Sequence, residues 1–102
     1  MALSSFVKLD QIGNTEPYMV VFTVDGDSAY VAGGTAAFAA FVQNNCDGLT
    51  PITASGFALD GSLTAEYDLD NDKLLVFDPA TGAQPADGDL SATSFQITAW
   101  CK

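Results

Sequence analysis

The feature that most constrains this chain is its punctuation. Asp25-Gly26, Gly33-Gly34, Asp47-Gly48, Asp60-Gly61, Thr81-Gly82 and Asp87-Gly88 recur along its 102 residues. Glycine after Asp supplies the positive φ that tight turns need, and an Asp carboxylate can bond the backbone just ahead of it. Segments this short between turns accommodate strands far better than long helices, so the chain is expected to be mainly β.

The segments between the turns agree. Residues 18–24, Tyr-Met-Val-Val-Phe-Thr-Val, are rich in β-branched and aromatic side chains and predict a buried strand. Residues 49–59 and 62–68 flank Asp60-Gly61 and predict a hairpin with a two-residue connection. In its second arm Leu63, Ala65 and Tyr67 share one face while Thr64, Glu66 and Asp68 share the other, which is the pattern of a half-buried antiparallel strand. Residues 73–78 predict the returning strand, and Asp78-Pro-Ala-Thr-Gly82 a turn with proline at its second position. In residues 93–101, Phe95, Ile97, Ala99 and Cys101 alternate with Gln96, Thr98 and Trp100, which predicts a last strand woven into the sheet. One segment differs. Residues 35–43 hold several good helix formers, Thr35 can cap their start, and Phe38, Phe41 and Val42 fall at helical spacing, which predicts a short helix packed over one end of the sheet; the alternative is a further buried strand, because so short an apolar run does not decide the period. The expected architecture is one domain over residues 1–102, a small antiparallel β-sandwich or β-barrel with one short helix.

Charge excludes more than it suggests. The cations are Lys8, Lys73 and Lys102 against 13 acids, with no Arg and no His, giving a net charge of −10. Nucleic-acid binding depends on neutralising phosphates with Lys and Arg, so no nucleic-acid partner is expected. The missing His removes His bases, His zinc sites and Ser-His or Cys-His nucleophiles. The apolar stretches 19–24 and 36–42 fall short of the roughly 20 residues a membrane-spanning helix needs. Met1-Ala-Leu-Ser-Ser lacks the basic start and apolar run of a signal peptide, so no membrane association and synthesis in the cytoplasm are expected. For Cys46 and Cys101, a reducing compartment favours two free thiols over one long-range disulfide.

Asp68, Asp70 and Asp72 stand at alternate positions, as the first oxygen ligands of a calcium loop do. Lys73 occupies the sixth place, where such a loop turns on Gly, and Pro79 the twelfth, where Glu closes the shell. A polar strand connection is the favoured reading, and neither metal nor cofactor is expected. No Asp-Thr-Gly or Asp-Ser-Gly marks an acid-protease pair, and most aspartates sit in turns, so no enzymatic activity is expected. The double glycine after Tyr30 lacks the Lys or the further Gly of a phosphate loop. Tyr18, Tyr30 and Trp100 are the aromatic candidates for a protein interface.

Phe22-Thr-Val-Asp-Gly-Asp-Ser-Ala-Tyr30-Val-Ala-Gly33-Gly34, then Glu66-Tyr67-Asp68, Asn71, Lys73-Leu74, Thr81-Gly82 and Asp89-Leu90-Ser91-Ala92-Thr93 follow one another in a distinctive order. Together they resemble a family of small virion proteins of tailed bacteriophages. The resemblance implies a capsid decoration, or cement, protein. Such a protein is a compact β-domain forming dimers or trimers, and it clamps neighbouring copies of the major capsid protein on the outer surface of the head. The expected location is therefore the virion surface, after synthesis in the host cytoplasm. An acidic surface suits that role, since it keeps the free protein soluble and complements basic patches. The alternative is a tail- or fibre-associated module that binds a receptor or glycan, with exposed aromatics such as Trp100 and Tyr18 stacking on sugars.

Overall fold

The computed structural model describes residues 3–13, 17–31 and 33–102. The Met1-Ala2 start and Ala32 of the double-glycine segment lie outside the described residues. In chain order the elements are β1 (Ser4–Ile12), β2 (Tyr18–Asp25), β3 (Thr35–Ala36), α1 (Phe38–Asn45), β4 (Pro51–Ala58), β5 (Thr64–Asp68), β6 (Lys73–Phe77) and β7 (Ser94–Cys101). All seven strands join one antiparallel sheet in the order β1-β2-β7-β4-β5-β6-β3, curled into a half-barrel. The chain is thus mainly β with one short helix.

The period of two decides which side of the sheet is wet. Val20, Phe22 and Val24 of β2 and Phe95, Ile97, Ala99 and Cys101 of β7 point inward and are almost fully buried. The helix closes the open side of the curl. Phe38 and Val42, four positions apart, are buried among these residues, and Phe41 packs on the Phe6–Phe22 ring pair, with ring centroids 5.9 and 6.4 Å away. Burying side chains of this size contributes about 1.5–3 kcal/mol each, so the helix is held by its apolar face rather than by propensity.

Several local expectations are corrected. Thr35 does not cap the helix: it pairs with Leu74 as part of β3, and its hydroxyl donates to Asp27 Oδ2 at 3.0 Å. The reason lies just before it. Gly34, at φ 101°, packs so closely on the Leu74 carbonyl that the chain runs along β6 before it can turn helical. Ala37 then breaks the strand in a left-handed conformation, φ 59°, and α1 begins at Phe38. Nor does Asp60-Gly61 form a two-residue hairpin connection. Phe57 pairs with Thr64 and the Ala58 N–H donates to the Leu63 carbonyl, leaving 59–62 as the loop. Asp60 Oδ1 accepts from both the backbone N–H and the hydroxyl of Ser62, and this local turn replaces the tighter one. At Asp25-Gly26 the glycine serves space, because a Cβ there would strike the Leu90 carbonyl. The 78–82 turn forms as the sequence predicts, with the Gly82 N–H donating to the Asp78 carbonyl at 2.7 Å and the Ala80 N–H to Asp78 Oδ1.

Candidate functional site

The aromatic candidates do not converge. Tyr30 is not available to a partner: it is 1% exposed and serves inside the molecule. Its hydroxyl donates to Gln84 Oε1 at 2.6 Å and accepts from the Val76 N–H at 3.0 Å, while Gln84 Oε1 also receives the Gly33 N–H. β3 pairs only with Lys73 and Leu74 of β6, so the Tyr30 hydroxyl takes over at Val76, where the ladder has run out of strand. Burial raises its pKa, and the nearby Asp27 and Asp87 carboxylates add to that, against the opposing hydrogen bond from Val76. Tyr18 is half-buried and pairs with Cys101, on the inward face at one end of the sheet. Trp100 alone of the three faces out, 43% exposed.

The aspartates of the 68–72 connection do not converge: Asp68 and Asp72 bond different partners. Asp68 accepts from the Asn71 side chain at 2.8 Å. Asp72 Oδ1 accepts from the Tyr67 hydroxyl at 2.7 Å and from the Ala39 N–H at 2.8 Å, which makes it the cap of a helix thirty-three positions upstream. Among the described residues no group of three carboxylates or thiols is arranged to hold a metal ion. Both thiols and two of the tyrosine hydroxyls are held protonated. Burial pushes the Cys101 thiol up to about 11, with Cys46 nearby adding to the shift. It raises Cys46 too, and both thiols are free and wholly buried. Burial likewise raises Tyr67, helped by its bond to the Asp72 carboxylate.

One cavity of about 350 Å³ opens where the start of β1 meets α1, bordered by Leu3, Ala37, Phe38, Phe41 and Asn44. Among the described residues that border it, none is ionisable. The neighbouring helix N-terminus, which would otherwise attract an anion, already carries the Asp72 carboxylate.

The distinctive surface is the outward face of β2, β7 and β4. Register places three cross-strand rows there: Met19, Trp100 and Thr53; Val21, Thr98 and Ser55; Thr23, Gln96 and Phe57. None of these positions carries a charge, on a chain whose net charge is −10. Phe57 is 48% exposed, and a bulge between Pro51 and Thr53 brings Ile52 to the surface beside the first row. The rows continue onto β1, where Ile12 pairs with Met19 and Val7 with Thr23. Acids begin only at the margins, with Asp10 beside Val21 and Glu66 beside Ser55. Sequence reasoning found Trp100 but missed Phe57. The 49–59 segment alternates poorly, because Gly56 and the bulge interrupt it, so its outward side could not be read.

Comparison of the chain with protein-family models, with curated proteins and with solved structures returned no match.

Proposed function

We propose that this protein is a non-enzymatic virion structural protein of a tailed bacteriophage, a capsid decoration protein that binds the outer surface of the major capsid protein and stabilises the head. The observation that carries the reading is the uncharged, partly apolar face of β2, β7 and β4, framed by acids on an otherwise strongly acidic chain. Uncharged centre and charged rim is the layout of a protein–protein interface, where aromatic anchors such as Trp100 and Phe57 exclude water and charges at the rim set orientation and encounter rate. The motif order described above supplies the capsid as the partner.

The test is binding of the purified protein to capsids lacking it, read by co-sedimentation and by counting copies per major capsid protein. The reading expects hundreds of copies per particle, weaker docking at high salt as the acidic rim is screened, and loss of docking for Trp100→Ala with Phe57→Ser. Six or a dozen copies per particle would place the protein in the tail or portal and sink the proposal. Trp100 also motivates the reading as a tail- or fibre-associated glycan-binding module. In that case saccharides would change its fluorescence and capsids would not bind.

A further inference from the structure

The molecule carries two thiols that face neither solvent nor the outward side of the sheet. Cys46 and Cys101 are both free and wholly buried, and both belong to the one apolar cluster that fills the curl. They come from distant parts of the chain, positions 46 and 101 being 55 apart. Cys46 is the residue at which α1 stops, its N–H still donating to the Val42 carbonyl. Cys101 is the last residue of β7, where it pairs with Tyr18 of β2 and Pro51 of β4.

One joint gathers them. The Leu49 N–H donates to the Cys46 carbonyl at 3.0 Å, which folds the chain back after the helix, and the next residue, Thr50, exchanges two backbone hydrogen bonds of 2.9 Å with Lys102. Residues 50 and 102 thus stand opposite each other as an antiparallel pair, about 5.5 Å apart between Cα atoms. Cys46 lies a tight turn away on one side of this joint and Cys101 is adjacent on the other. After burial, the charge of a Cys46 thiolate is what raises the Cys101 thiol, which sets the two sulfurs near each other in the core.

We propose that Cys46 and Cys101 form a latent redox pair, which a small-molecule disulfide of the glutathione class converts into a buried disulfide tying the end of α1 to β7. The step is thiol–disulfide exchange. One thiolate of the chain attacks a sulfur of the small disulfide, forming a mixed disulfide and releasing one small thiolate. The other cysteine attacks the chain's own sulfur in that mixed disulfide, forms the Cys46–Cys101 bond and releases the second. The two released thiolates take up the two thiol protons, so the chain loses two hydrogens and two electrons while the small disulfide is reduced to two thiols.

Burial sets when this happens. A thiol held protonated and away from water does not attack, so exchange waits for the Thr50–Lys102 joint to open, and the finished bond is equally hard to reach. In a reducing compartment the pair stays as thiols, and in an oxidising medium it closes. The bond adds a covalent tie where the helix lacks one. The start of α1 is fixed by Asp72, whereas its end rests on packing and on the backbone bonds of the turn. Cys101 points to the opposite side of β7 from Trp100, so the outward face is left as it is and this proposal is tested separately from capsid docking.

Equilibration of the full chain with graded ratios of reduced to oxidised glutathione, approached from the dithiol and from the oxidised form, tests the pair. The oxidised fraction is read by intact mass after acid quenching and alkylation, once under native conditions and once in denaturing urea. The expected product is a single chain that has lost two hydrogens and takes up no alkylating agent. Its formation constant should be about tenfold or more larger in the folded protein than in urea, and its melting temperature roughly 5 °C or more above that of the dithiol form. In Cys46→Ala and in Cys101→Ala the glutathione ratio should leave the melting temperature unmoved. A formation constant less than tenfold larger in the folded protein overturns the proposal. So do oxidised products that are mixed disulfides or inter-chain dimers, or an oxidised chain whose melting temperature fails to rise.

Discussion

Two side chains, Tyr30 and Asp72, tie together parts of the chain that local sequence cannot connect. Replacing Tyr30 with Phe keeps the buried ring but leaves the Val76 N–H without its partner and removes the donor to Gln84 Oε1. A buried donor left without a partner costs about 1–3 kcal/mol, to be read from urea unfolding curves, with little change in their slope. Asp72 serves a helix cap and a tyrosine hydroxyl at once. It also sits at φ 54°, a left-handed conformation that Asp and Asn tolerate better than Ala. Asp72→Ala is therefore expected to cost about 1–3 kcal/mol, and Asp72→Asn, which keeps an oxygen acceptor and the backbone preference, distinctly less, in the same assay. Neither role was legible beforehand. Asp72 looked like part of a polar connection and Tyr30 like an interface aromatic beside a glycine corner, because the helix start that Asp72 caps and the Val76 and Gln84 partners of Tyr30 lie tens of residues away.

At the scale of elements, the strands were largely legible and their joints were not. β2, β5, β6 and β7 follow from alternation and β-branched content, since a half-buried strand must alternate to keep one face dry. β1 escaped for a physical reason: an edge strand with two register shifts and little burial has no reason to alternate, and Ser-Ser-Phe-Val-Lys-Leu-Asp-Gln-Ile does not. The helix was legible as an element but not in its start, which Gly34 and the β6 edge determine. The β4–β7 contact gives a further prediction. A Cβ on Gly56 would collide with the Gln96 carbonyl and with Ile97 Cδ1 at 2.7 Å, in the middle of the sheet. Gly56→Ala should destabilise by about 1–3 kcal/mol through overpacking, and hydrogen exchange should show faster exchange of β4 and β7 amides before that of β2.

For the whole molecule, four groups share one electrostatic tendency. Cys46, Cys101, Tyr30 and Tyr67 are all held protonated above their ordinary values, chiefly by burial. A group that keeps its proton more tightly when folded lends its stability in full below its unfolded pKa and withdraws it as pH rises through the folded one. The melting temperature should accordingly hold from neutrality to near the ordinary thiol value of 9.0, then fall as pH climbs through about 11, the folded value of Cys101. Cys101→Ala would lessen that fall, although it also leaves a small cavity, so the comparison rests on the shape of the pH profile rather than on its height. A flat profile to pH 11 would contradict the burial assigned to these groups.

The position of β7 bears on how the molecule comes into being. The strand latest in the chain lies between β2 and β4, and its backbone bonds both, from the Tyr18–Cys101 pair at one end to the Ala58–Phe95 pair at the other. Until those residues have been synthesised, β1 with β2 and β4 with β5 and β6 can exist only as separate ribbons, each with an apolar face and an unfilled edge. The sheet therefore cannot be assembled progressively as the chain emerges. It forms in one late step that spans most of the sequence, which favours slow, strongly cooperative folding and leaves the nascent protein dependent on shielding until that step is complete.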